Sequence, residues 1–218
     1  YDDTHFPTII HPSSPTIPAA LAIGESRHLS GREVLIAAIL GMEVCCQIGV
    51  AIHPAHYEEG WHITSTCGVF GAAAASSRLM GSNLSTTIHA FGLAGTQASG
   101  VREVFGSMSK AFHPGRAAQS GLLASLLAEN GFTSTETIIE GRRGFAAVLA
   151  NDYQLGLATK GLGERWELLM NGMKPYACGV VNHPLIDSML WARNELLVNP
   201  HEITMIIAQV HPLVLELV

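Results

Sequence analysis

Residues 65–80 hold Gly68, Gly71 and the run Ala72 to Ala75 inside an apolar stretch. Side chains this small let two helix backbones approach closely, because the distance between packed helices follows the side chains at the contact. The stretch is therefore predicted as a central helix with other helices laid against it. The pattern around it stays helical from Pro15 to about Glu140. Ser30 with Glu33 three residues on is a capping box, in which each side chain can satisfy the other's free backbone N–H. The helix it opens repeats Leu35, Ile36, Ile39 and Leu40 at helical spacing. Ser85 is predicted as the N-cap of a helix through Gln97, with Gly100 as its stop. Residues 115–130 repeat Leu122, Leu123, Leu126 and Leu127, and Gly131 is placed just past the helix end. Residues 133–139 and 145–150 read as shorter helices.

The texture changes near Asp152. Gly156, Gly161, Gly163, Gly172 and Gly179 punctuate the following stretch. Residues 166–174 are predicted as a strand. Asn182 is predicted as the N-cap of a helix to about Leu197, stopped by Pro200. Residues 203–210, with β-branched Ile206 and Ile207, read as a strand. The expected fold is mainly α: an all-helical domain over residues 1–152, then the beginning of a smaller α+β domain over residues 153–218.

Composition excludes several classes. Hydrophobic residues make up 48% against 14% charged, the reverse of a disordered segment. A net charge of −6, a pI near 6.0 and 12 dispersed cations argue against a nucleic-acid partner. Mean hydropathy is high at +0.28, yet no uncharged apolar run approaches the ~18–20 residues of a membrane span, so no membrane partner is expected. Cys45, Cys46, Cys67 and Cys178 include no CxxC and form neither a disulfide framework nor a zinc signature. They point to a reducing, cytoplasmic compartment, with the mitochondrial matrix as the alternative. The start, YDDTHFPTII, lacks an initiating Met and a signal-like core, and the end, HPLVLELV, stops inside an apolar run. The reading is a fragment of a longer protein.

Eleven histidines, several beside Pro or Gly, carry the chemical signal: His11-Pro12, His53-Pro54, Trp61-His62, His113-Pro114, His183-Pro184 and His211-Pro212. Polar residues on loops between rigid elements are the ones that most often do chemistry. For any single histidine taken blindly, a cap or surface role is the better assignment. No His-x₃-His, HExxH or Cys/His cluster has ligand spacing, so no metal is expected. Lys110, in SMSKAFHPGRAA, is read as lying just before a helix N-terminus with Arg116 close by. Lys174 lies in MKPYACG. A lysine, an arginine and a helix N-terminus together suit an anion. There is no nucleophile elbow, P-loop or dinucleotide fingerprint; GLAGTQASG follows a helical pattern rather than a strand.

Four ordered motifs, DDTH…HPS, GWHITSTCGVFGAAAA, KAFHPGRAAQSG and KPYACGVVNHPLID, span residues 2–187. In that order they resemble the MmgE/PrpD family of 2-methylcitrate dehydratases and cis-aconitate decarboxylases. The resemblance implies a large all-α domain, a smaller α+β lid, and a chain about twice as long. It implies an active site without metal or cofactor between the two domains, acting on small polycarboxylates. Family site positions carry over onto Thr4, His11, His62, Lys110 and Lys174. On that footing His11, His62, Lys110 and Lys174 are the expected catalytic residues, and Asp3, Thr4 and Arg116 the expected substrate-binding ones. The histidines suit acid and base roles near neutral pH. The lysines suit clamping carboxylates and steadying an enolate-like transition state, with Lys174 supplied by the second domain on closure. The expected reaction is that of a lyase, dehydrating or decarboxylating a di- or tricarboxylate. An iminodisuccinate epimerase-type isomerase and a non-catalytic carboxylate-binding relative are the alternatives. A homodimer is expected, as in relatives.

Overall fold

Helix α4 (Ile63–Met80) is the axis of the first of two compact units into which the described chain divides, residues 2–172 and residues 173–217. The computed structural model describes residues 2–217. In chain order the elements are β1 (Thr4–His5), α1 (Ser13–Ser26), α2 (Gly31–Ile52), α3 (Ala55–Glu58), α4, α5 (Leu84–Gly95), α6 (Ser109–Glu129), α7 (Phe145–Leu149), β2 (Asn171–Gly172), α8 (His183–Glu195) and α9 (Pro212–Leu217), with short 3₁₀ turns between. The fold is mainly α, as the sequence predicts.

The small residues do what their size suggests. Helices α1, α2, α5 and α6 all pack on α4. A Cβ on Gly71 would stand 2.7 Å from the Gly41 carbonyl of α2 and 2.8 Å from Thr16 of α1. One on Gly68 would meet Pro15, and one on Gly121 of α6 would meet Ala72 and the backbone at Ala73. Phe70, Val69, Ala72, Ala73 and Ala75 are fully or almost fully buried along α4. The capping box forms as predicted: Glu33 N–H donates to Ser30 Oγ, and Ser30 N–H donates to Glu33 Oε2 at 2.8 Å. At the end of α6, Gly131 takes φ +84. Its N–H donates to Ala128 and that of Phe132 to Leu127, a Schellman closure.

Five local expectations are corrected. Helix α5 is capped by Asn83, whose Oδ1 accepts the Thr86 N–H at 2.9 Å, rather than by Ser85, and it ends at Gly95. Helix α6 begins at Ser109, six residues early, because Pro114 is tolerated within its opening turns. Residues 133–139 are not helical. Thr135 Oγ1 accepts the Thr137 N–H, and this local bond competes with a helix; the segment lies on α5 at Gly92, where a Cβ would meet Ser134 and the Thr135 carbonyl. In residues 166–174 only Asn171–Gly172 is strand, after a 3₁₀ turn at Glu167–Met170. Residues 203–210 form no strand, since no described segment pairs with them and most are exposed; an extended run without a ladder partner gains nothing from β-branched residues.

By length and composition α2 could cross a membrane, and 61% of its most apolar window is buried inside the protein. Glu43, at its middle and 4% exposed, accepts the N–H groups of Glu167 and Leu168 at 3.0 and 2.9 Å and the Gln47 amide at 2.7 Å. Glu167 in turn pairs with buried His5 at 3.2 Å and with Arg165. Residues 153–172 thus pack onto the helical unit, with Gln154 N–H on the Ala51 carbonyl. The change of composition near Asp152 and the division at residues 172/173 do not coincide. In the second unit α8 follows a 3₁₀ turn and ends at Glu195. Asn182 precedes it with no side-chain cap bond.

Candidate active site

The segment before α1 folds back on itself to place His11. Strand β1 pairs antiparallel with β2, Thr4 opposite Gly172 and His5 opposite Asn171. The chain then reverses through residues 5–10: His5 N–H donates to the Ile10 carbonyl, and Ile9 N–H to the His5 carbonyl, both at 2.8 Å. Ile9 holds φ +64 in this turn, a costly conformation for a β-branched residue. The reversal sets His11 beside Asp3 and Thr4. His11 Nδ1–H donates to the Asp3 carbonyl at 2.7 Å, and Thr4 Oγ1 stands 3.2 Å from the same nitrogen. The tautomer is thereby fixed, leaving Nε2 of the neutral ring as its acceptor. The His11 N–H donates to Thr64 Oγ1 at 3.1 Å, tying the loop to the first turn of α4.

Asp3 works as an organiser. Its Oδ1 accepts the Ser13 N–H at 3.2 Å and the Ser13 hydroxyl at 2.5 Å; its Oδ2 accepts the Asn171 amide at 2.7 Å. Both oxygens are engaged, and the carbonyl of the same residue orients His11.

His62 is the residue before α4 and only 3% exposed. Its N–H donates to the Gly100 carbonyl at 3.0 Å. Its Nδ1 lies 3.0 Å from His113 Nδ1, and Phe105 meets the ring edge-on with centroids 5.0 Å apart. Burial first, then the nearby His113, Lys110 and His11, pull its pKa down to about 3, with Asp2 opposing. The ring is neutral at pH 7. Lys110 lies in the first turn of α6, where its Nζ stands 4.4 Å from the Phe105 ring centre. The structure therefore gathers His11, His62 and Lys110 from three separate stretches, with Asp3 and Thr4 behind His11.

Arg116 and Lys174 are the two remaining predicted residues. Arg116 is exposed on α6 and donates to Gln119 Oε1 at 2.7 Å; no described contact joins it to the histidines. Lys174 belongs to the second unit, half-buried just after β2. There Tyr176 bonds Asp187 and packs edge-on against His183, whose Nε2 is buried without a hydrogen-bond partner. Phe105 is absent from the sequence reading, and His113 and His183 appear there as histidines beside Pro without a site role. His113 was visible in KAFHPG, three residues after Lys110, but placing the helix start at residue 115 hid their shared helical turn. Among the described residues no three His, Cys, Asp or Glu side chains converge as a metal would require.

Residues 1–158 match the model of the MmgE/PrpD N-terminal domain. The chain is 32% identical over 213 residues to a cis-aconitate decarboxylase of Aspergillus terreus, covering 90% of this chain and 44% of that protein. It is 32% identical over 199 residues to a second cis-aconitate decarboxylase, from Aspergillus terreus strain NIH 2624, covering 84% and 41%. It is 29% identical over 204 residues to the cis-aconitate decarboxylase-like protein oryM of Aspergillus oryzae, covering 86% and 42%. The chain spans less than half the length of these curated relatives.

Proposed function

The chain belongs to the MmgE/PrpD family, and from that premise we propose that it carries the helical half of a metal-independent lyase site for a small di- or tricarboxylate, of the cis-aconitate decarboxylase or 2-methylcitrate dehydratase type. The observation that carries the reading is the convergence of His11, His62 and Lys110 at the head of α4. The relatives' shared name favours decarboxylation.

The chemistry follows from the parts. Loss of CO₂ leaves an electron pair on a carbon, delocalised toward a neighbouring carboxylate, and a proton must fill it. Dehydration instead takes a proton from beside a carboxylate as hydroxide departs. Both need cationic charge on the carboxylate and a positioned proton carrier. Lys110 supplies the charge. His11, with Nδ1 held by the Asp3 carbonyl, and His62 supply nitrogens for the proton. Burial keeps His62 neutral near pH 7, and the negative charges of a bound polycarboxylate favour its protonated form, so binding and proton uptake are coupled. Lys174 of the second unit completes the proposed set, and the assembled protein is proposed to be a homodimer.

The test is proton NMR of the full-length protein in D₂O with cis-aconitate, 2-methylcitrate, citrate and iminodisuccinate. Loss of CO₂ with deuterium entering beside a carboxylate, or loss of water, is expected. Epimerisation alone would replace the lyase with an isomerase. No change in any substrate, from folded protein, overturns the reading.

A further inference from the structure

We propose that His113 is a positioning residue for His62: by pairing with its Nδ1, His113 leaves Nε2 as the nitrogen that meets substrate. The inference rests on the reading of His62 as a proton carrier. Two imidazole nitrogens 3.0 Å apart hold one proton between them, since two lone pairs or two N–H groups would repel. In either sense of that bond the Nδ1 of His62 is occupied. Only Nε2 remains to give or take a proton.

The pair is held from several sides. His62 N–H is fixed on the Gly100 carbonyl, and Ser65 Oγ–H donates to the His113 carbonyl at 3.3 Å. Gly100 takes φ +115, and a Cβ there would stand 3.0 Å from His113 Nδ1 and 3.2 Å from its Cγ. One glycine thus bears on both residues: its carbonyl accepts the backbone N–H of His62, and its missing side chain admits the His113 ring. Phe105 closes against the edge of His62. When His62 gains a proton at Nε2, its Nδ1–H is already directed at a neutral acceptor; when it gives one, His113 fixes the ring's aim. The other titratable groups that act on His62 are Lys110 from α6, His11 from the loop before α1, and Asp2 from the N-terminal segment.

The test compares His113→Phe, which keeps a ring but loses the nitrogen, with His113→Asn, whose amide can occupy the Nδ1 position. In the full-length protein, His113→Phe is expected to lower kcat by about tenfold or more with KM little changed, and to move the limb of the pH profile. His113→Asn is expected to recover most of the loss. Long-range ¹⁵N–¹H spectra of the His62 ring, taken without substrate, supply a readout independent of turnover. One tautomer is expected in the native chain and a mixture in His113→Phe. A His62 spectrum indifferent to His113→Phe overturns the positioning role, as does equal loss of kcat in both variants. A protein that turns over no carboxylate but shows the tautomer change overturns the proposed function and upholds the pairing.

Discussion

Burial decides the charge of the histidines, and through it the response of the whole chain to acid. His56 is fully buried between the Leu149 carbonyl and Thr66 Oγ1, each 2.7 Å away. Burial pushes its pKa down from 6.5 to about 4, against the pull of that carbonyl, and His62 falls to about 3. A lowered histidine favours the fold above its unfolded pKa, and that contribution is lost as pH falls toward the folded value, because only the unfolded chain takes the proton. The urea midpoint is therefore expected to drop between pH 7.5 and pH 4.5, by a total of a few kcal/mol in stability. An unchanged midpoint would show that these rings are not buried neutral in solution. The same burial raises the thiols of Cys45, Cys46 and Cys67. In iodoacetamide labelling of the folded chain, half-exposed Cys178 should be modified first and the other three only after unfolding. At this scale the histidines beside Pro and Gly stood out in apolar sequence, but the choice of His11, His62 and Lys110 came from the resemblance of the four motifs to the MmgE/PrpD family. The tie between Asp3 and Asn171 was not legible, since the two lie 168 residues apart in the chain.

Elements were legible where a local rule sets them. The Ser30 box and the Gly131 closure need only neighbouring residues, and both form. Removing the cap with Ser30→Ala is expected to cost about 1 kcal/mol, read as a lower melting temperature. The glycine and alanine content of α4 announced close packing but could not say which helix meets which glycine. The structure sets Gly71 against Gly41, so Gly71→Ala would place a methyl 2.7 Å from a carbonyl and 2.9 Å from Cys45 Cβ. Backbone cannot swing aside as a side-chain tip does. The expected loss is about 1–3 kcal/mol, whereas Gly115→Ala, in open space on α6, should be neutral or slightly stabilising. Equal melting temperatures for the two variants would contradict the close α2–α4 contact. Local rules failed for residues 133–139 and 203–210. The first segment is held by tertiary contact with α5, and the second carries a strand-like composition with no described ladder.

At the scale of the molecule, a buried carboxylate joins the far end of the first unit to its helical core. Glu43 sits in the middle of α2, where hydropathy alone would accept a membrane span. It accepts two backbone N–H groups from a turn that begins 124 residues later. That turn carries Glu167 to His5 and leads directly into β2, where Asn171 holds Asp3 and Asp3 in turn holds Ser13 and orients His11. The chain of contacts runs from α2 to the site without leaving residues 2–172. Glu43→Ala would leave the Glu167 and Leu168 N–H groups without their acceptor and remove a charged partner of Gln47. Bonds to charged groups are each worth about 1.5–3 kcal/mol, so a loss of about 3 kcal/mol or more is expected. Hydrogen exchange distinguishes this anchor from a general loss of stability. Under native conditions the amides of Glu167 and Leu168 should exchange much faster in the variant, while those in the centre of α4 follow global stability alone. The His11 Nδ1–H resonance should weaken along with them, because Asp3 loses the strand that steadies it. Fast exchange confined to α2, with residues 167–172 still protected, would mean that the turn is held by its own packing and that Glu43 is only a buried charge of the core helix.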